Sequence, residues 1–208
     1  MPINIDAVHS KDFQQLSNIQ AEIWGKDNQM PASLFSIANT IGGCALGAYH
    51  DQILIGFILS LPAVWNGKKA QWSCRLAVDE SFRNQGIGSQ LKEAQKKALL
   101  TNGINSLLWS FNPYDTKNAH LNLNKLGAKI VGFKEGMYPV VPGERAIVEW
   151  HLQPPPSDSL NHHQNINVPT SPSPDFCASI KKVLADGFVG TMIDFDSNQP
   201  YYQFSKHD

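Results

Sequence analysis

Between residues 81 and 91 the chain reads Ser-Phe-Arg-Asn-Gln-Gly-Ile-Gly-Ser-Gln-Leu. Gly86 and Gly88 leave the backbone bare where an apolar run gives way to a helix-forming one. A turn of this kind gathers unpaired N–H groups at a helix N-terminus, on the positive end of the helix dipole. Phosphate is the chemistry that such a place suits. Two phosphate-binding patterns fail here. The P-loop needs a lysine after its last glycine, and Ser89 follows Gly88. The dinucleotide fingerprint needs a third glycine where Leu91 stands. What remains is Arg83-x-x-Gly86-x-Gly88, a cation followed by two bare backbone positions.

Other residue types that carry chemistry are sparse. Cys44, Cys74 and Cys177 are odd in number and widely spaced, which fits neither a disulfide framework nor a zinc site. No metal site is expected. Cys74 has no histidine paired to it by motif and reads as core, and His162-His163 reads as solvated.

The elements that must position the glycine turn follow from periodicity. Residues 3–10 alternate as a strand, and Ser10 is placed to cap a helix bearing Phe13, Leu16, Ile19 and Ile23. A short helix is expected from Pro31, with Leu34 and Ile37. Two apolar strands flank His50-Asp51-Gln52, a hairpin turn. A strand over 70–78 then runs into the glycine turn, with Val78, Leu76, Cys74 and Trp72 expected on one face and Arg75, Ser73 and Gln71 on the other. The helix after the turn carries Ile87, Leu91, Ala94 and Ala98 on its apolar side, with Lys92, Glu93, Lys96 and Lys97 pointing elsewhere. A strand over 104–111, a helix over 115–126 closed by Gly127, and strands over 128–135 and 145–152 complete the pattern. This order describes an α/β fold with a mixed central sheet flanked by helices.

Residues 154–174 are rich in Pro, Ser and Asn and read as a connector. Beyond it, Asp175 is placed to cap a helix, and residues 188–205 read as a hairpin across 196–199. The expected organisation is therefore a domain over 1–153, a connector over 154–174, and a C-terminal helix plus hairpin over 175–208 docking on the sheet. The 208 residues, 42% hydrophobic and 17% charged, suit a single core with such an appendage. A net charge of −1 gives no basic field for nucleic acid or a membrane surface. The longest apolar run, 53–64, is broken by Gly56 and Pro62 and falls short of the ~20 residues that cross a bilayer. No signal-peptide pattern opens the chain, so a cytoplasmic location is expected.

With these elements around it, the stretch Leu-Ala-Val-Asp-Glu-Ser-Phe-Arg-Asn-Gln-Gly-Ile-Gly-Ser-Gln-Leu resembles the coenzyme A pyrophosphate loop of the GNAT acetyltransferase superfamily, Q/R-x-x-G-x-G/A. Residues 118–128 resemble that superfamily's later helix, which ends in Gly-Phe or Gly-Ala. Together with Trp-Ser-Phe-Asn-Pro at 109–113, they are most similar to a less-characterised branch with a C-terminal extension. The resemblance covers residues 3 to 152. It implies a GNAT-type acyl-CoA N-acyltransferase fold in which two central strands splay and admit the pantetheine arm of acetyl-CoA. Backbone groups of Leu76, Ala77 and Val78 would hold that arm, as would Asn118. The amides of Gln85, Gly86, Ile87, Gly88 and Ser89 would hold the pyrophosphate, beside Asn84, with Arg83 supplying charge or fixing the loop.

The implied reaction is direct attack of an amine on the thioester, with the N–H of Val78 donating to the oxyanion. The acceptor is expected to be a small-molecule or peptide amine, and a homodimer is a possible assembly. An alkylamine of pKa about 10.4 needs about 4–5 kcal/mol to be presented neutral at pH 7, so a base is wanted. No carboxylate stands on the strand 70–78. Asp115 and Glu144 are loop candidates. Many relatives place a thiolate-protonating tyrosine four residues before the closing glycine, where this chain has Leu123. Tyr114 and His120 are candidate substitutes. The alternative reading is a GNAT-fold module that binds acyl-CoA without turning it over.

Overall fold

The computed structural model describes residues 3–138, 142–153 and 162–206, grouped into two units, 1–107 and 108–208. In the first unit, β1 (Asn4–Ala7), β2 (Cys44–His50), β3 (Ile53–Trp65) and β4 (Lys68–Val78) lie side by side in that order, each antiparallel to the next. The turns between them use residues with positive φ, Asp51 and Gln52 after β2 and Asn66-Gly67 after β3, which match the right-handed strand twist. β3 runs on through Pro62 to the Asn66-Gly67 turn, further than the apolar run alone suggests.

Helices α1 (Phe13–Trp24) and α2 (Ser33–Thr40) cover one face, where Leu16, Ile19, Phe35, Phe57 and Leu59 are fully buried. α3 (Ile87–Thr101) covers the other, with Ile87 and Leu91 against Ala48, Ile55 and Ile58. The start of α1 differs from expectation. Ser10 opens a 3-10 turn over Ser10–Asp12 that precedes α1. The Asp12 carboxylate closes that turn by accepting from the His9 N–H at 2.9 Å, and also accepts from the Tyr49 hydroxyl at 2.7 Å. Pro31 precedes α2 without opening it.

The expected alternation along β4 breaks. Leu59 stands opposite Arg75 and Ser60 opposite Ser73, so Cys74 is an extra residue in a β-bulge. Cys74 therefore packs with the α1/α2 cluster, while Leu76 and Val78 pack against α3. The four residues expected on one face do not share it, because a bulge resets the period of two.

In the second unit, β5 (Ser106–Phe111), β7 (Arg145–His151), β6 (Lys129–Lys134), β9 (Val189–Asp196), β10 (Gln199–Lys206) and β8 (His162–Asn167) lie in that spatial order. α4 (Thr116–His120) continues as a π-helical turn over Leu121–Lys125, and α5 (Pro174–Ala185) precedes β9. The connector expected over 154–174 thus holds a strand. β8 pairs along β10 from His162 opposite Lys206 to Asn167 opposite Tyr201, and a ring nitrogen of His163 lies 2.8 Å from Ser205 Oγ. Its composition does not announce a strand, and the partner strand decides. Residues 154–161 of that connector lie outside the described residues. Ser173, not Asp175, caps α5, its Oγ accepting from the Phe176 N–H, with Pro174 in the first turn.

The tail is bound into this unit by named contacts. β9 pairs antiparallel with β6, where Gly190 faces Ile130 so closely that a Cβ would come within 2.8 Å of its side chain. Tyr202, fully buried, donates to the Pro113 carbonyl at 2.6 Å. Asn124 in the π-turn donates to the Ile193 carbonyl at 3.0 Å and accepts from the Ile193 N–H at 3.1 Å. Asn124→Ala removes both bonds and leaves a strand amide unpaired, an expected loss of about 1–3 kcal/mol. Thermal unfolding should show a Tm lower by several degrees, and an unchanged Tm would contradict the clasp.

Candidate functional site

The glycine turn lies in the first unit, between β4 and α3. Asp79 leaves the strand with its carboxylate accepting from the Ser81 N–H at 2.9 Å, which starts a single 3-10 turn over Glu80–Phe82. Asn84 (φ 62°) and Gly86 (φ 77°) then adopt left-handed backbone conformations on either side of Gln85. Gly86 has no Cβ to strain there, and asparagine tolerates the region better than most residues. Left-handed residues in alternation with ordinary ones are the backbone pattern of an anion-binding nest.

The first bond that closes α3 runs from the Gln90 N–H to the Gly86 carbonyl at 3.1 Å. Among the described residues, no bond uses the amides of Gln85, Gly86, Ile87, Gly88 or Ser89. They are orphan donors at the positive end of a 15-residue helix. Ile87, 2% exposed, anchors the turn from below. The Arg83 side chain donates through Nε to the Val78 carbonyl at 3.1 Å, tying the far side of the turn back to the strand. Gln85 Nε2 donates to the Ser81 carbonyl. The loop is held by its side chains, and none of these bonds uses the amides of residues 85–89.

On β4, Leu76 and Val78 are half-buried on the α3 side, and Ala77 is buried on the α1/α2 side. Gly56 lets β3 approach here, since a Cβ on it would lie 2.9 Å from the Ala77 carbonyl. Cys74 is a poor nucleophile. Burial raises its thiol pKa, outweighing the Leu61 backbone bond and the Arg75 charge that lower it.

Tyr114 and Asn118 belong to the second unit. The Tyr114 hydroxyl lies 3.7 Å from Cys177 Sγ and accepts from the Ser173 N–H at 3.4 Å, and its ring stacks near Phe176. Burial, then the bond to Cys177, pushes this phenol up to about 12. Asn118 closes a chain of side-chain bonds. Trp109 Nε1 donates to Asn122, and Asn122 Nδ2 donates to Asn118 Oδ1 at 3.2 Å. Asp115 caps α4 by accepting from the Asn118 N–H. Leu123 is buried at 2% exposure, so the thiolate-acid position of the resemblance holds a core side chain.

Sequence reasoning missed Lys92. Placed among the solvent-facing residues of the helix, it is half-buried instead, with Nζ 3.3 Å from Ser73 Oγ. Burial lowers its amine to about 7. The available signal was its position directly after Leu91, on the flank of the apolar stripe.

Residues 42–127 match the family model of the acetyltransferase (GNAT) domain. The fold is shared with solved structures of that superfamily. Arabidopsis thaliana Naa50 in complex with a bisubstrate analogue, CoA-Ac-MVNAL, is 19% identical with a TM-score of 0.59, over 71% of this chain and 97% of its own. An aminoglycoside 6'-N-acetyltransferase complexed with coenzyme A is 18% identical with a TM-score of 0.59, over 74% of this chain and 99% of its own. GphF, a GNAT-like decarboxylase in complex with isobutyryl-CoA, is 18% identical with a TM-score of 0.59, over 72% of this chain and 100% of its own. No curated protein matches the sequence. Residues 42–127 thus carry a match to the GNAT domain, and the mixed sheet with flanking helices is the fold of these acetyltransferase structures. Among the described residues, no helix is long and apolar enough to cross a membrane.

A Cβ on Gly88 would meet only Leu76 Cδ2, at 3.7 Å, so α3 accepts a side chain there and a large one fills the space beside Leu76. Acetyl-CoA at 100 times its Kd should stabilise the protein by about 2.7 kcal/mol. Gly88→Leu should fold and lose that stabilisation in a thermal-shift assay. Normal stabilisation of Gly88→Leu would overturn the loop's assignment.

Proposed function

We propose that this chain is a coenzyme A-dependent N-acyltransferase that moves an acetyl group from acetyl-CoA to an amine. The observation that carries this reading is the run of amides at 85–89, unbonded among the described residues, at the N-terminus of α3 within the matched domain. Those amides bind the pyrophosphate, shaped by Asn84 and Gly86 and braced by Arg83. Leu76, Ala77 and Val78 offer strand backbone to the pantetheine amides in the manner of an added strand. The N–H of Val78 is the proposed oxyanion donor.

Direct attack is favoured over an acyl-enzyme, because burial keeps the Cys74 thiol protonated. The neighbours in complex with a peptide-bearing bisubstrate analogue and with an aminoglycoside-modifying activity support an amine acceptor, peptide or small molecule. A second reading is an acyl-CoA-binding module without turnover. Leu123 in the thiolate-acid position, buried as core, favours it.

Release of free coenzyme A thiol from acetyl-CoA, followed across a panel of peptide N-termini, aminoglycosides and polyamines, separates the two. Amine-dependent release supports the transferase, and tight binding with no release for any amine supports the module. A phenol at about 12 is poorly matched to protonating a departing thiolate whose own pKa is about 8.5. Tyr114→Phe is therefore expected to hold kcat within about twofold, whereas loss of a general acid typically costs about 10²-fold or more. A fall of that larger size would make Tyr114 the acid.

A further inference from the structure

The helix that carries the anion-binding turn also presents an amine to the strand beside it. Gly88 of α3 lies over Leu76 of β4, and one turn later Lys92 Nζ reaches Ser73 Oγ at 3.3 Å. α3 and β4 therefore run past each other in opposite directions. Residues three apart on a regular strand face opposite sides. The bulge at Cys74 cancels this and turns Ser73 to the same side as Leu76, toward α3. An extended arm laid along β4 from the turn passes Val78 and Leu76 and comes level with Ser73 within about 16 Å of strand. Transfer to Lys92 therefore takes a thioester seated further along the strand than the one whose oxygen meets the Val78 N–H.

A second observation marks the same stretch of helix. Gln95, three residues after Lys92, is buried at 0% exposure, and neither its Oε1 nor its Nε2 has a hydrogen-bond partner among the described residues. Native proteins rarely leave both ends of a buried amide unused. The face of α3 around Lys92 thus keeps polar capacity that the described side chains do not fill.

We propose that Lys92 is a self-acetylation site, its Nζ taking the acetyl group from acetyl-CoA bound by the same chain. The proposal rests on the reading that residues 85–89 hold the coenzyme. The nitrogen lone pair forms the C–N bond to the thioester carbonyl carbon. The C–S bond breaks and its electron pair leaves with sulfur. The proton shed by nitrogen ends on the thiolate, so the products are acetyl-lysine and free coenzyme A thiol. Burial holds the Lys92 amine at about 7, so close to half of it is the neutral nucleophile at pH 7. A surface lysine near 10.4 is neutral in only about 1 molecule in 2,500.

The test incubates the full chain with acetyl-CoA at pH 7 and follows each lysine-containing peptide by mass spectrometry over time. Lys92 should gain the acetyl group first, about tenfold or more faster than any other lysine, as its neutral fraction requires. Gly88→Leu should slow that modification about tenfold or more, because the donor is no longer held. Lys92→Arg and Lys92→Gln should both remain stabilised by acetyl-CoA and show no early acetylation. The proposal is overturned if acetyl-CoA stabilises the protein while Lys92 reacts no faster than surface lysines. It is equally overturned if Gly88→Leu is acetylated at the unaltered rate. Absence of any stabilisation by acetyl-CoA overturns the coenzyme reading itself, and this proposal with it.

Discussion

An anion-binding turn must leave several N–H groups without partners and still hold one shape. Everything around residues 79–89 serves that constraint. Asn84 and Gly86 hold left-handed conformations, and Ile87 is sunk into the core at the start of the helix. The loop's own side chains are bonded backward, Arg83 to the Val78 carbonyl and Gln85 to the Ser81 carbonyl, so that none competes for the amides. Preorganised donors of this kind bind an anion without an ordering cost at the moment of binding. The paired strands beneath supply the rigidity, with Gly56 allowing β3 to close on the Ala77 carbonyl.

The chemistry beside that turn is less conventional than the turn itself. β4 carries no carboxylate, and Leu123 fills the position of the thiolate acid with a core side chain. Beside the turn the structure offers a perturbed amine, Lys92, bonded to a serine that a bulge brings onto the helix side. The same fold in GphF is a decarboxylase bound to isobutyryl-CoA, and in Naa50 it holds a bisubstrate analogue. One fold thus hosts different acyl-CoA chemistry, and the residues of each site decide what happens to the acyl group.

The turn, its strand and its helix were legible because glycines at a strand-to-helix junction are a local signal. So were the core helices, whose periodicity follows from burial of one face. Other features were not. The bulge at Cys74 needs the register of β3 to be seen, and without it the facing of Ser73 and Cys74 is reversed. Gln20, Asn39 and Asn124 each clasp a backbone amide at both ends, at Met30, Ala45 and Ile193. In sequence they are ordinary polar residues, since the partner is a chain segment chosen by tertiary structure. β8 is polar except for Ile166 and becomes a strand through β10. Tyr114 reads as a catalytic candidate from its place after β5, whereas its hydroxyl is engaged with Cys177 and Ser173 of the tail.

The central claim is that the amides of 85–89 hold the coenzyme's pyrophosphate. Amide hydrogen exchange, compared with and without saturating coenzyme A, tests it most directly. The account predicts that exchange slows at Gln85, Gly86, Ile87, Gly88 and Ser89, each of which gains an acceptor it lacks among the described residues. Saturable coenzyme binding that leaves the exchange of these amides unchanged would contradict it.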